Sequence, residues 1–307
     1  MSIYIKNWII QDEDDDGFTC SIRTSALDLL LCVAKDFMPV LLPPLLDYVA
    51  KSSGAGVDWQ QKESAYYLIG SISEGFDEET MAKFNIEAYL ERTVLADLQT
   101  VTNPFLLGRS LWFAGRFADK IRAELINQFL TATVAGLGSA QHIIVRIQAA
   151  RAVFEFISKM AEQENEHLLK PHMQNVMGNL IEIAAQSNTE VLCLILEVLT
   201  TCVTVEEQVA GQFAPQLAEL IVALIQNKSN DPQISSIVED LVESVAKIET
   251  AAPILIATLV PYLNTALATK EDVLESNGDT SITNTFISTC LDITTRLVRY
   301  LPKPIPG

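Results

Sequence analysis

The chain has 307 residues, 49% of them hydrophobic, and its 39 acidic against 21 basic residues give a net charge of −18. That balance argues against direct nucleic-acid binding, which needs clustered Lys and Arg to neutralise phosphates; it suits a basic protein partner, or solubility alone. No run reaches the roughly 18–20 uncharged apolar residues of a membrane span, because the richest segments are interrupted by Lys35, Asp36 and Asp47 or by Glu197.

Residues 3–11, IYIKNWIIQ, read as the last turns of a helix, so the chain is expected to start inside a repeat. Nothing in the first sixteen residues has the basic, apolar and small-residue regions of a signal peptide. Asp12, Glu13, Asp14, Asp15 and Asp16 are five consecutive carboxylates before Gly17. Such like-charge crowding predicts a loop, either merely solvated or an electrostatic arm for a basic partner. A helix is predicted from about Cys20 to Phe37. Pro39 and the Pro43-Pro44 pair then allow a bent segment and a new helix through Leu45, Leu46 and Val49, ended by KSSGAG. A helix over Trp59–Ser73, an acidic turn at Glu74–Glu79 and an outer helix over Phe84–Leu98 follow.

The stretch Asn103 to Asp119 begins with proline at a helix start and carries apolar residues at helical spacing. Leu107, Leu111, Ala114 and Ala118 fall on one side, whereas Arg109 and Arg116 share another that is open to a partner. Further helices are predicted over Ala123–Leu137, Val145–Met160, a segment from Pro171 through Ala184, Val191–Val203, Val205–Ile225, Ile234–Ile248 and Pro253–Ala268. The longest polar linker is placed at 269–281, before a last helix that ends at Tyr300 and PKPIPG. No segment sustains a period of two, so the fold class is all-α.

One pattern returns along the chain: SIRTSALDLLL, QQKESAYYLIG, FLLGRSLWFAG, IVRIQAARAVF, EVLCLILEVLT, QISSIVEDLVE and a weaker SITNTFISTCL. Its small-or-apolar slot falls at Ala26, Ala65, Ser110, Ala149, Ile195, Val238 and Phe286, about 39 to 48 residues apart, close to the roughly 40–47 of HEAT-type arrays. Residues 1–307 are therefore expected to form one α-α solenoid of about six to seven repeats rather than two globular domains.

Catalytic constellations find little support. His167 and His172 are five apart, which is not the i, i+4 pair of a helical metal site, and His142 stands alone. Cysteines at 20, 32, 193, 202 and 290 form no CxxC, and their odd, scattered distribution suits a reducing compartment. Gly54-Ala55-Gly56 lacks the strand and Lys-Ser/Thr of a phosphate loop. No metal or cofactor is expected. Arg23, Arg109 and Arg146, with Asp16, Asp97, Glu190 and Asp231 just upstream of inner helices, suggest an Asp–Arg ladder between repeats. Trp59 and Trp112 are expected to pack between helices. Acidic residues on one helix layer, namely Asp28, Glu63, Glu155, Glu197, Glu239, Asp240 and Glu243, could sum into a field that attracts a basic surface.

At DEDDDGFTCSIRTSALDLLLCVAKDF, NPFLLGRSLWFAGRF, ELINQFLTATVAGL, IVRIQAARAVF and LIEIAAQSNTEVLCLILEVL the chain resembles the importin-β (karyopherin-β) family of nuclear transport receptors, and the resemblance extends over most of its length. It implies a non-enzymatic HEAT-repeat superhelix that shuttles between cytoplasm and nucleus. Such a receptor carries basic cargo such as core histone dimers and ribosomal proteins, releases it through the Ran GTPase and interacts with nucleoporins. Asp12 to Asp16 look like the family's acidic loop, which contacts histone cargo. The family's N-terminal Ran-binding repeats and its C-terminal repeats have no counterpart, so Ran-driven release is not expected of this chain by itself. A structural HEAT scaffold that assembles a multiprotein complex is the alternative reading, and an enzyme with an unrecognised site is a third.

Overall fold

The computed structural model describes residues 22–54, 56–76, 78–187, 189–229, 231–274 and 280–300. The acidic run Asp12–Asp16 lies outside them. The chain divides into two compact units, Met1–Glu164 and Asn165–Gly307. Among the described residues there are helices and turns but no strands.

Unit 1 holds α1 (Ile22–Ser52), α2 (Trp59–Ile72), α3 (Glu78–Phe84), α4 (Ile86–Tyr89), α5 (Leu95–Thr100), α6 (Pro104–Arg116), α7 (Ala123–Leu137) and α8 (Ile143–Glu162). Helix α1 breaks at Phe37 (φ −128°, ψ 22°), two residues before Pro39. Proline there cannot donate to the carbonyl four residues back and its ring crowds that carbonyl, which is the bent segment the sequence implies. By length and hydropathy alone, Ser25–Ser52 would reach across a membrane. It is nonetheless bent, carries three prolines, and packs its buried Ala34, Leu42, Leu45 and Val49 inward, with Ala34 and Leu45 against Ile72 of α2.

The predicted outer helix Phe84–Leu98 is broken twice. Asn85 takes a left-handed conformation (φ 49°, ψ 55°), which asparagine tolerates better than most residues, and its side chain caps α4 by accepting from Ala88 N at 3.4 Å. Leu90–Val94 then forms a π turn before α5.

Helix α6 starts as its sequence dictates. Pro104 occupies the first turn, and Asn103 Oδ1 accepts from Phe105 N at 3.0 Å and Leu106 N at 3.2 Å, a cap worth about 1 kcal/mol. The backbones of α6 and α8 approach closely because Gly108 and Gly115 face Gln148 and Ala152; a Cβ on Gly115 would lie 2.9 Å from the Ala152 Cα. Helix α7 covers the same pair from the other side, with Gly136 against Leu111 and Ala149.

Unit 2 holds α9 (Lys170–Gln186), α10 (Thr189–Val205), α11 (Glu207–Gln212), α12 (Ala214–Lys228), α13 (Pro232–Ala246), α14 (Ala252–Leu274) and α15 (Thr280–Arg299). The single helix predicted over Val205–Ile225 is split at Phe213, because Pro215 offers no N–H to the Gly211 carbonyl. Helix α13 repeats the Asx-Pro start, with Asp231 Oδ1 accepting from Gln233 N and Ile234 N at 3.1 and 3.3 Å. Within the predicted linker 269–281 the described residues are helical instead: α14 runs to Leu274 and α15 begins at Thr280.

Both units have the two-layer build of a helical repeat solenoid. In unit 1, α2 lies beside α6 and α6 beside α8, with α7 backing α6 and α8; in unit 2, α10, α13 and α15 form one layer and α9, α12 and α14 the other. The slot residues Ala65, Ser110, Ala149, Ile195, Val238 and Phe286 are all buried, whereas Ala26 is exposed. A small or apolar residue at that position lets each inner helix sit down on its outer partner.

Candidate protein-binding layer

Along α2, α6 and α8, residues at successive turns meet at matching heights. Trp59 stacks on Phe105 with ring centroids 5.4 Å apart. One turn on, Arg109 Nε donates to Glu63 Oε1 at 2.8 Å, and the guanidinium lies 4.7 Å from the ring centroids of both Tyr67 and Trp112. Trp112 in turn lies against Gly70, where a Cβ would come within 2.4 Å of its ring. At the far end Arg116 Nη1 donates to Glu155 Oε1 at 3.1 Å and its Nε to the Gly70 carbonyl at 3.4 Å. A planar, weakly hydrated guanidinium can be buried against aromatic faces where an ammonium could not.

These contacts overturn one expectation. The side of α6 that carries Arg109 and Arg116 is not open to a partner: Arg109 is fully buried, Arg116 is partly buried, and each is ion-paired to a neighbouring inner helix. An inner helix of a solenoid has neighbours on two sides, so a charged stripe at an inter-repeat boundary becomes a joint. The expected Asp–Arg ladder is not formed by the described residues named for it; here the ion pairs join glutamate to arginine or aspartate to lysine. Asp97 engages Lys62 Nζ and the Tyr66 hydroxyl, each at 2.6 Å. Asp231 caps its own helix, and Arg146 Nε donates to the Leu137 carbonyl at 3.1 Å. Asp16 and the side chains of Arg23 and Glu190 lie outside the described residues.

In unit 2 the joint between α13 and α15 centres on Arg296. Its Nη2 donates to Glu239 at 3.2 Å and its Nη1 to Asp240 at 3.2 Å and to Glu243. Glu243 also accepts from the Tyr300 hydroxyl at 3.3 Å and pairs with Lys247 at 3.1 Å. Burial pushes the Glu239 carboxyl up despite Arg296, whereas the Lys247 hydrogen bond brings Glu243 down. Glu197 on α10 is exposed, with its carboxyl raised by partial desolvation.

The acidic residues predicted to act together thus divide. Glu63 and Glu155 are each matched by an arginine, so they add little to an outward field. Glu239, Asp240 and Glu243 share Arg296, with Lys247 on Glu243 alone, and Asp240 and Asp292 are exposed, which leaves the inner layer of unit 2 with a negative excess. Asp28 is exposed on α1. Trp59 and Trp112 pack between helices as expected. His142 Nδ1 caps α8 by accepting from Ile144 N at 3.3 Å, and burial lowers the His172 pKa. Sequence reasoning missed Lys62, Tyr66 and Arg296. A usable signal existed for one rung, since Arg116 and Glu155 each stand six residues after a repeat slot.

Comparison with known proteins places this architecture. Residues 17–229 match the family model "Importin-9 central HEAT repeats". Importin-9 of Drosophila melanogaster is 22% identical over 312 residues, which take in 96% of this chain and 29% of that protein. A crystal structure of importin beta superposes with a TM-score of 0.58 at 16% identity, covering 94% of this chain and 35% of the other. Kap121p gives the same TM-score at 14% identity, covering 99% and 34%. The chain therefore spans about a third or less of the length of these proteins. With repeats of this length, an inner layer in each unit and a match over most of its residues, the chain belongs to the importin-9 family of HEAT-repeat proteins.

Proposed function

We propose that this chain acts as the cargo-holding central part of a nuclear import receptor, a non-enzymatic scaffold that binds basic proteins such as core histone dimers or ribosomal proteins. The observation that carries this reading is the match of residues 17–229 to importin-9 central HEAT repeats, in a chain whose net charge is −18. Asp12, Glu13, Asp14, Asp15 and Asp16 supply the densest negative charge and act as an electrostatic arm, with the acidic inner layer of unit 2 as a second contact. Residues 1–307 work as one solenoid. In a longer receptor containing these repeats, Ran and nucleoporins would act on the same scaffold during shuttling between cytoplasm and nucleus.

The test is titration of the chain with a core histone dimer across a salt series, beside an acidic globular protein of equal charge. Selective binding that weakens, with a flatter salt dependence, when Asp12–Asp16 are replaced by Ser and Asn supports the reading. Equal binding by both acidic proteins, or none, removes it. An affinity untouched by the replacements removes the arm and favours a structural scaffold.

A further inference from the structure

Tyr89 and Asp97 converge on one residue of the neighbouring inner helix. The rings of Tyr66 and Tyr89 meet edge to face at 6.0 Å, and the Tyr66 hydroxyl donates to Asp97 Oδ2 at 2.6 Å. Lys62 Nζ donates to the other Asp97 oxygen at 2.6 Å, and Ser53 Oγ donates to the Tyr89 hydroxyl at 3.2 Å. Asp97 and Tyr66 are both buried. Yet positions 89 and 97 do not share a face of an α-helix: eight residues at 3.6 per turn rotate through about 800°, leaving them about 80° apart. The π turn Leu90–Val94 lies between them. Such a turn holds one residue more than an α turn, so it lags by roughly 100° and brings the two positions within about 20°.

We infer that Leu90–Val94 is a one-residue insertion taken up as a π turn, held in that register by the buried Asp97 node. The same segment has a second, all-α register in which Asp97 swings away from Tyr66 and Lys62. The outer helix of this repeat is thus a two-register element, closed by a carboxylate with two donors. This goes beyond the cargo reading and does not depend on it.

Two variants test it on the whole chain. Deleting Arg92, an exposed residue of the turn, leaves Tyr89 and Asp97 seven apart, which in a plain α-helix is again about 20°. The expected result is a continuous α-helix in the crystal, an intact Tyr66–Asp97 bond and an unfolding midpoint within about 2 °C of the parent. Asp97→Ala strands the Lys62 charge, and is expected to lower the midpoint by on the order of 10 °C and to relax residues 90–94 to α. A deletion variant that melts as low as Asp97→Ala overturns the insertion. A π turn that persists in the Asp97→Ala crystal overturns the hold exerted by the node.

Discussion

Arg109 and Glu63 are 46 residues apart in sequence, yet Nε and Oε1 meet at 2.8 Å, with the guanidinium lying over the adjacent rings of Tyr67 and Trp112. Removing one partner leaves the other buried, so Arg109→Ala should cost about 3–5 kcal/mol in urea unfolding. Arg109→Lys should recover little, because an ammonium neither stacks nor spans the same donors. The double replacement Glu63→Leu with Arg109→Met should be far milder than either deletion. A neutral Arg109→Ala would show that this rung carries no stability.

Glycine is required where α6 crosses α8. Gly115→Ala adds a Cβ 2.9 Å from the Ala152 Cα, and backbone cannot step aside as a side-chain tip can. The helix-propensity gain of about 1 kcal/mol is then outweighed by overpacking of roughly 1–3 kcal/mol. Gly178→Ala, inside α9, meets the Phe213 ring tip only at 3.6 Å and is the matched control. Thermal melts of the two variants should separate by several degrees, with Gly115→Ala the lower.

The contrast between those sites shows what the sequence made legible. Asn103-Pro104, the slots from Ala65 to Phe286 and the limits Ala123–Leu137 were readable because caps, periodicity and repeat length are local or regular signals. The left-handed Asn85 and the π turn after Tyr89 were not, since no residue type there demands either, and the π turn sets Tyr89 and Asp97 against Tyr66 on another helix. Nor did sequence show that Asp97 would face Lys62 and Tyr66 rather than an arginine. Spacing along one helix fixes a side; it does not fix what stands opposite across a repeat boundary.

Alkaline unfolding should report on Tyr89. Burial pushes its pKa up to about 12, above the usual value of about 10 for an unfolded tyrosine. The folded state therefore keeps a proton that the unfolded state loses, so the contribution is complete below pH 10 and disappears between about pH 10 and 12, worth roughly 2–3 kcal/mol. Stability measured across that window should fall less steeply in Tyr89→Phe than in the parent, and identical slopes would rule out Tyr89 as the titrating group.

The α13–α15 joint should be sensitive to salt. Arg296 faces Glu239, Asp240 and Glu243 and is about a quarter exposed, so each pair is worth only about 0–1 kcal/mol and is screened. Arg296→Gln leaves three carboxylates with Asp292 nearby and Lys247, on Glu243, as their remaining counter-charge. Amide exchange in α15 should speed up in this variant, and raising salt should slow it again by screening the repulsion, whereas in the parent raising salt should speed it. The same salt response in both would show that Arg296 does not hold the helix.

Each inner helix touches helices that are its near neighbours along the chain, as α2 with α6 and α6 with α8 in unit 1, or α10 with α13 in unit 2. No strand awaits a distant partner among the described residues. Loop-closure entropy is thus met in short instalments, and a chain with such local contacts can condense from any of its helix pairs. During synthesis, α6, α7 and α8 can bury Leu111, Gly136 and Ala149 against one another before unit 2 has been translated.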